Sequence, residues 1–423
     1  MGKHALVFGA SGVTGWSFVN EILNDYPEKS VWDGVVAMTN RPLKQEDSLW
    51  PADQRLQIVS GIDLLKGSQE DLESALKEKV KTISKITHVY YLAYKASTDM
   101  KQELEDAVSM FKRSTIAMNN LSPALEFVVL QTGAKMYGCH LLDNHPTDYI
   151  HVPLSEDQPR LKDPYHDMLF YHPQLDWLAE YANDKKWSWC DTRPDIIIGF
   201  VPNQNFYSLG TVLGIFLALY ATVEGKGASC RFPGSDKSWK ALSNDSSSDM
   251  IARQTLHLSL NLPSDMKGQG FNVADAKQPE TWSSKWPQLC AYFGLKGTGP
   301  AKEGEEPLEM RKYINEHLDA WKKLESQYGL KKGVADSDLT FQGFEVRRER
   351  LSTSSDANIR QYFLMTQFDF DRQYDMTRTY STPKDKPFTE ERSVMEAWEL
   401  VFDRMREGKL IPKDSRADSP VGS

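Results

Sequence analysis

Lys3-His4-Ala5-Leu6-Val7-Phe8-Gly9-Ala10-Ser11-Gly12-Val13-Thr14-Gly15 decides the reading of this chain. An apolar run ends in glycines spaced G-x-x-G-x-x-G, and Phe18, Val19, Ile22 and Leu23 then recur at helical spacing. Each glycine has a job in such a strand–turn–helix unit. Gly9 permits the tight turn, Gly12 lets backbone approach a pyrophosphate, and Gly15 lets the helix pack close to the strand. The N–H groups at the helix start, from Ser11 to Thr14, then face the phosphates. A glycine pattern with a strand before it and a helix after it predicts a dinucleotide site.

Outward from this turn, strand and helix signals alternate. Gly34–Met38 reads as a second strand and a short third precedes Asp63. Ser68 opens a helix with Asp71 three residues on, and Leu72, Leu76 and Val80 follow at helical spacing. Val89–Ala93, Phe127–Leu130 and Trp187–Thr192 read as buried strands, with helices marked by Leu104, Ala107, Met110 and Phe111 and by Leu175 to Tyr181. Repeated β–α units predict an α/β protein with a doubly wound parallel sheet of Rossmann type. The expected division is a dinucleotide-binding domain over 1–200 and a smaller, mainly helical substrate-binding lobe over 201–412. A charged linker is expected at 300–308, an irregular insertion near 333–360 and a disordered tail at 413–423. Phe206–Val223 carries no charge, but its glycines and hydroxyls make it a marginal membrane span, and a buried helix or pocket wall is expected instead.

The 423 residues are 40% hydrophobic and 26% charged, with a net charge of −9. That is globular composition, and its acidic balance argues against nucleic acid or an anionic membrane as the main partner. Cys139, Cys190, Cys230 and Cys290 form no C-x-x-C pair and read as free thiols. With no signal or transit segment visible, a cytoplasmic protein is expected. His145, His151, His166 and His172 lie close in sequence but match no zinc spacing, so no metal site is expected.

The second strand ends Met38-Thr39-Asn40-Arg41-Pro42, with a guanidinium and no carboxylate to read ribose hydroxyls. That favours NADPH over NADH. Asp63 suits a contact to the adenine, or else a cap for the turn at Leu64. Hydride transfer also needs a group that steadies the oxygen where negative charge develops. The usual tyrosine–lysine pair one helical turn apart is absent, because Leu175 stands four residues after Tyr171. Lys135 at the end of the fifth strand is the alternative source of the ammonium.

Leu130–Tyr137 (LQTGAKMY), Ser155–Arg160 (SEDQPR), Phe170-Tyr171 before a helix, Arg193-Pro194 and Ile198-Gly199-Phe200-x-Pro202 follow one another along the chain. With Thr87–Tyr94 (THVYYLAY), Cys230–Trp239 and Ser246–Ala252, this order resembles the progesterone 5β-reductase/iridoid synthase-like family of extended short-chain dehydrogenases, in a fungal-type form. The resemblance implies an NADPH-dependent oxidoreductase that reduces an activated C=C bond, acting in secondary metabolism. It assigns catalysis to Tyr171 and Lys135, and cofactor contacts to Leu92, Ala93, Thr132, Gly133, Pro194, Ile196 and Ile198 beside the glycine turn and Thr39, Asn40, Arg41 and Asp63. Three departures stand out: His172 replaces a tyrosine, Leu175 replaces a glutamate, and Met38-Thr39 replace paired arginines. Tyr94, Tyr137, His172, Phe206 and Tyr207 are the candidate pocket for a small, hydrophobic enone-type substrate. Carbonyl reduction, a cyclisation or isomerisation, and a non-catalytic NADP sensor remain alternatives, and a homodimer remains open.

Overall fold

The computed structural model describes residues 2–97, 99–141, 150–202, 208–341, 345–347, 361–363, 365 and 368–417. The chain divides into two units. One comprises Met1–Ile196, Ser246–Lys277 and Tyr374–Glu391, the other Ile197–Asp245, Gln278–Gln373 and Arg392–Ser423. This differs from a single division at residue 200, because the first unit takes back Ser246–Lys277, which supplies its last strand, and Tyr374–Glu391, which borders that strand.

In the first unit, β1 (Lys3–Phe8), β2 (Trp32–Thr39), β3 (Leu56–Ser60), β4 (His88–Tyr91), β5 (Phe127–Gln131), β6 (Ser188–Pro194) and β7 (Gly270–Val273) form one sheet. The strand order is β7-β6-β5-β4-β1-β2-β3, parallel throughout. Near-continuous apolar strands such as Ala5–Phe8 and Phe127–Leu130 are fully buried, as a parallel sheet covered on both faces requires. The covering helices include α1 (Val13–Leu23), α2 (Gln69–Lys79), α3 (Met100–Leu121), α4 (Tyr171–Tyr181) and α5 (Ser248–Asn261). The expected cap of α2 forms in both directions, with Ser68 accepting from Asp71 N and Asp71 accepting from Ser68 N.

The seventh strand is not signalled by the sequence. Its open edge is closed by side chains: Asn272 N donates to Glu156 Oε1 (2.7 Å), Arg378 Nη1 to Gly270 O (3.0 Å) and Thr379 Oγ1 to Asn272 O (2.5 Å). Closing the edge this way leaves no free ladder for another chain to pair with.

The second unit is mainly helical. The apolar segment expected as a buried helix is the helix Leu209–Glu224, buried from Leu209 to Leu219. No helix among the described residues is long and apolar enough to cross a membrane. A side chain at Gly210 or Gly214 would lie 2.7 Å from Val401 or Met405, so these glycines let the helix Val394–Glu407 pack close. Lys285 pairs with Asp245 (2.6 Å) beneath Trp282, and Trp398 Nε1 donates to the same carboxylate (3.0 Å). The segment 300–308 is an exposed turn in which Glu305 pairs with Arg231 (3.0 Å). In the expected insertion, Glu345–Arg347 pairs antiparallel with Gln361–Phe363, while 348–360 lie outside the described residues. The tail expected to be disordered is held at its start, where Arg416 pairs with Glu399 (3.3 Å), and 418–423 lie outside the described residues. All four cysteines are buried free thiols.

Candidate active site

The strand order reverses between β1 and β4, where a doubly wound sheet opens its ligand crevice at the C-terminal strand ends. Gly9 sits there with φ of +82°, and an added Cβ would lie 2.7 Å from Leu92 O and 2.8 Å from Ala93 N. Only glycine meets both demands. A Cβ at Gly15 would lie 2.3 Å from Gly9 O, which confirms the close helix-to-strand approach. Gly12 caps α1 with no side-chain hydrogen bond, and no acid occupies the first turn, so the positive helix end stands unopposed. Ser11 is half-buried in this turn. Val13 and Thr14 bury their side chains, with Thr14 Oγ1 accepting from Gln131 Nε2 (3.3 Å), and offer the site only backbone.

At the end of β2, Thr39 is 1% exposed and donates to Arg41 O (2.7 Å). It shapes the turn, while Asn40 and Arg41 stand exposed beyond it. No carboxylate pairs with the Arg41 guanidinium among the described residues. Asp63 is exposed and accepts from Leu65 N (2.9 Å), the turn-capping alternative.

The end of β5 gathers the candidate chemistry. Thr132 is tied down, its hydroxyl donating to Asp191 Oδ2 (2.9 Å). A Cβ at Gly133 would lie 3.2 Å from Pro194 O and 3.7 Å from the Tyr171 hydroxyl, so the ends of β5 and β6 and the start of α4 converge on one point. Lys135 follows two residues later, in the turn Ala134–Tyr137. It is half-buried and has no hydrogen-bond or ion-pair partner among the described residues. Burial pushes its pKa down, and Glu103 opposes the shift. Tyr171 presents its ring edge-on to Phe170 (4.7 Å), which stacks on Tyr94 (5.7 Å). Tyr94 is 38% exposed and donates to Glu103, and Met168, just before Phe170, is 46% exposed.

Not every expected residue is there. Tyr137 is buried and donates to Asn272 Oδ1 (2.6 Å), so it serves an internal network instead of a pocket wall. Ile196 is half-buried at the end of the first unit, and Ile198 lies buried in the second unit. Phe206 and Tyr207 lie outside the described residues. His172 is fully buried and stacks on His166 (4.4 Å, 8°), whose Nδ1 meets Asp167 (3.0 Å). Among the described residues neither ring nitrogen of His172 has a hydrogen-bond partner, nor has Nδ1 of His140, a residue that the sequence did not single out. Burial first, then the nearby Lys135 and His172, hold His140 to a pKa of about 4. Burial first, then His166 and Arg160, hold His172 to about 4. The only hint in sequence was a histidine five residues beyond Lys135, which zinc-spacing arguments pass over.

A family profile described as a PRISE-like Rossmann-fold domain matches residues 5–412. The chain is 37% identical to the short chain dehydrogenase ausT of Aspergillus calidoustus over 78% of this chain and 81% of that one. It is 32% identical to the short chain dehydrogenase sirQ of Leptosphaeria maculans, covering 98% and 99%. It is 28% identical to an (S)-8-oxocitronellyl enol synthase of Nepeta racemosa, covering 77% and 76%. Among solved structures, the epimerase Mth375 of Methanothermobacter thermautotrophicus superposes with a TM-score of 0.57 at 13% identity, covering 96% and 93%, a likeness of fold alone. One domain signature running almost end to end, over the geometry described above, makes this chain a member of the PRISE-like Rossmann-fold family.

Proposed function

We propose that the chain is an NADPH-dependent reductase of activated C=C bonds, acting by conjugate addition on an enone or enal in a secondary-metabolite pathway. The observation that carries this reading is the convergence of the Tyr171 hydroxyl, Gly133 and the approach to Lys135 at the end of β5. The glycine turn lies on the same C-terminal edge of the sheet, so one ligand lying along that edge meets both.

The cradle at Gly9 and the uncapped, acid-free start of α1 fit a dinucleotide pyrophosphate. Exposed Asn40 and Arg41, with no carboxylate at the end of β2, suit a 2′-phosphate. When bound, NADPH supplies a hydride to the acceptor β-carbon. Tyr171 donates a hydrogen bond to the carbonyl oxygen and steadies it as it becomes an enolate. Lys135 adds positive charge, and its half-buried position strengthens that field relative to water. Tyr94, Phe170 and Met168 supply apolar surface for a greasy acceptor. A relative named as an enol synthase fits a site built to hold an enolate oxygen.

The test follows NADPH oxidation by nicotinamide absorbance with small enones and enals, with NADH as control. Removing one oxyanion donor costs about 3–4 kcal/mol of barrier. Tyr171→Phe should therefore lower turnover at least about a hundredfold, with NADPH affinity near that of the unmodified chain. Unchanged turnover removes Tyr171 from the mechanism. A saturated product separates this reading from carbonyl reduction, which gives an alcohol, and from isomerisation, which leaves mass unchanged. Cofactor binding with no hydride transfer to any acceptor would favour a sensor.

A further inference from the structure

Among the described residues, His4, His140 and His257 each leave one buried ring nitrogen without a hydrogen-bond partner, and His172 leaves both. His88 is as buried as His172, yet its Nδ1 meets Thr87 Oγ1 (2.9 Å) and its Nε2 meets Ser259 O (3.2 Å). Among the described residues His172 has neither nitrogen engaged, and His140 lacks a partner at Nδ1. Stacking on His166 covers the face of His172 but uses none of its edge nitrogens. Leaving such a donor or acceptor unmet is costly, so two of them on one ring ask for an explanation. Both imidazoles are sequence neighbours of the candidate chemistry, and His140 lies close enough to Lys135 and His172 to feel the charge of each. His172 follows Tyr171 directly, and His140 follows Lys135 by five residues on the next turn, where Leu141 N closes onto Gly138 O (3.0 Å).

Their chemistry names the group they would take. At neutral pH both rings are uncharged, so each offers one N–H donor and one acceptor nitrogen. A hydroxyl is the complement of that pair, since it donates and accepts at one atom. Lys135 only donates, and is already assigned to the developing enolate.

We propose that His140 and His172 form a hydroxyl-binding subsite beside Tyr171, so that the preferred substrate is an enone bearing a hydroxyl group near its carbonyl. The proposal rests on the reductase reading and narrows its substrate class. A site built to hydrogen-bond a hydroxyl discriminates strongly against the analogue lacking it, because its own polar groups are then left unpaired.

The test compares cyclohexenone with its α′-hydroxy derivative, whose hydroxyl sits on the saturated carbon next to the carbonyl, using the full chain, His172→Phe, His140→Phe and the conservative His172→Gln. NADPH oxidation gives kcat and KM for each probe. Quenching of tryptophan fluorescence gives probe binding to the NADP-loaded protein. The unmodified chain should favour the hydroxylated probe by at least about tenfold in kcat/KM. His172→Phe and His140→Phe should erase that preference through KM for the hydroxylated probe, and His172→Gln should retain part of it. Equal kcat/KM for the two probes in the unmodified chain, or parallel losses for both in the variants, overturns the subsite and leaves the reductase reading intact. If neither probe is reduced but the hydroxylated one binds in a His172-dependent way, the subsite stands and the reductase reading falls. Binding of neither probe overturns the subsite.

Discussion

Two buried polar groups lie at the same end of the sheet and obey opposite rules. Around β6, Arg193 Nε pairs with Asp191 Oδ2 (2.8 Å), Asp191 accepts from Thr132 (2.9 Å), and Arg193 Nη1 reaches the Tyr137 hydroxyl (3.3 Å). Tyr137 donates to Asn272, and Asn272 donates to Leu154 O (2.8 Å) and Asp375 O (3.1 Å). Every atom in that chain of contacts is answered. Around Tyr171, by contrast, Lys135, His140 and His172 keep unmet capacity. The first group ties strands β5, β6 and β7 to a distant segment and needs nothing more. The second is complete only with something added. The satisfied group serves as scaffold, and the unmet atoms beside Tyr171 mark the candidate site.

The sharpest way to break this comparison is to strip the satisfied group of its charge balance. Asp191→Ala leaves the Arg193 guanidinium, 10% exposed, without its carboxylate. The expected loss is about 3–5 kcal/mol of unfolding free energy, read from urea denaturation. A loss below about 1 kcal/mol would mean that the network is not structural.

The mirror experiment removes charge from the unsatisfied group. Lys135→Met keeps the length of the stem and deletes an ammonium that burial already disfavours. Stability should stay level or rise slightly, while turnover with an enone falls about a hundredfold. A variant that loses as much stability as Asp191→Ala would place Lys135 in the scaffold instead.

The same contrast explains what the sequence made legible. The glycine turn was readable because backbone geometry alone dictates it: positive φ at Gly9 and close approach at Gly15 are properties of single positions. The cap of α2 was readable because Ser68 and Asp71 are three residues apart. Lys135 was readable as a lysine at a strand end and the role of Tyr171 came from resemblance, and the structure brings the end of β5 to the Tyr171 hydroxyl. The rest depends on partners far away in the chain. β7 is four residues with no usable period, and it is a strand because Asp191–Pro194 pairs with it and residues 156, 378 and 379 close its edge. Tyr137 looked like a pocket aromatic because nothing near it in sequence announces Asn272. The hydrogen bond from Thr39 to Arg41 O was not legible either, because a hydroxyl that bonds its own turn has the same local sequence as one that faces a ligand.

A third buried group, Glu21 with Asp249, tests whether satisfaction can depend on a proton. Glu21 on α1 is 4% exposed and Asp249 on α5 is 1% exposed. Arg253 Nε reaches Glu21 (2.8 Å) while its Nη1 holds Glu390 (2.6 Å), and Tyr26 donates to the same Glu390 (2.8 Å). Two buried carboxylates that face each other are relieved when one takes a proton, and Glu21 is the one whose pKa is pushed up. Burial first, then Asp249, push its pKa from 4.5 up to about 7, against the pull of Arg253. The sign follows directly: a folded-state pKa raised above the unfolded value gives stability that is fully present below pH 4.5 and is lost as pH rises through about 7. The pair is thus a satisfied network in mild acid and an unsatisfied one above neutrality. Glu21→Gln keeps a donor facing Asp249 at every pH, and Arg253 keeps Glu390. The unmodified chain should lose on the order of 1–3 kcal/mol between pH 5 and pH 8 that the variant keeps, read from urea midpoints at the two pH values. Parallel pH profiles for the two proteins would show that the carboxyl pair is ionised and answered by Arg253 throughout, which would return this group to the scaffold.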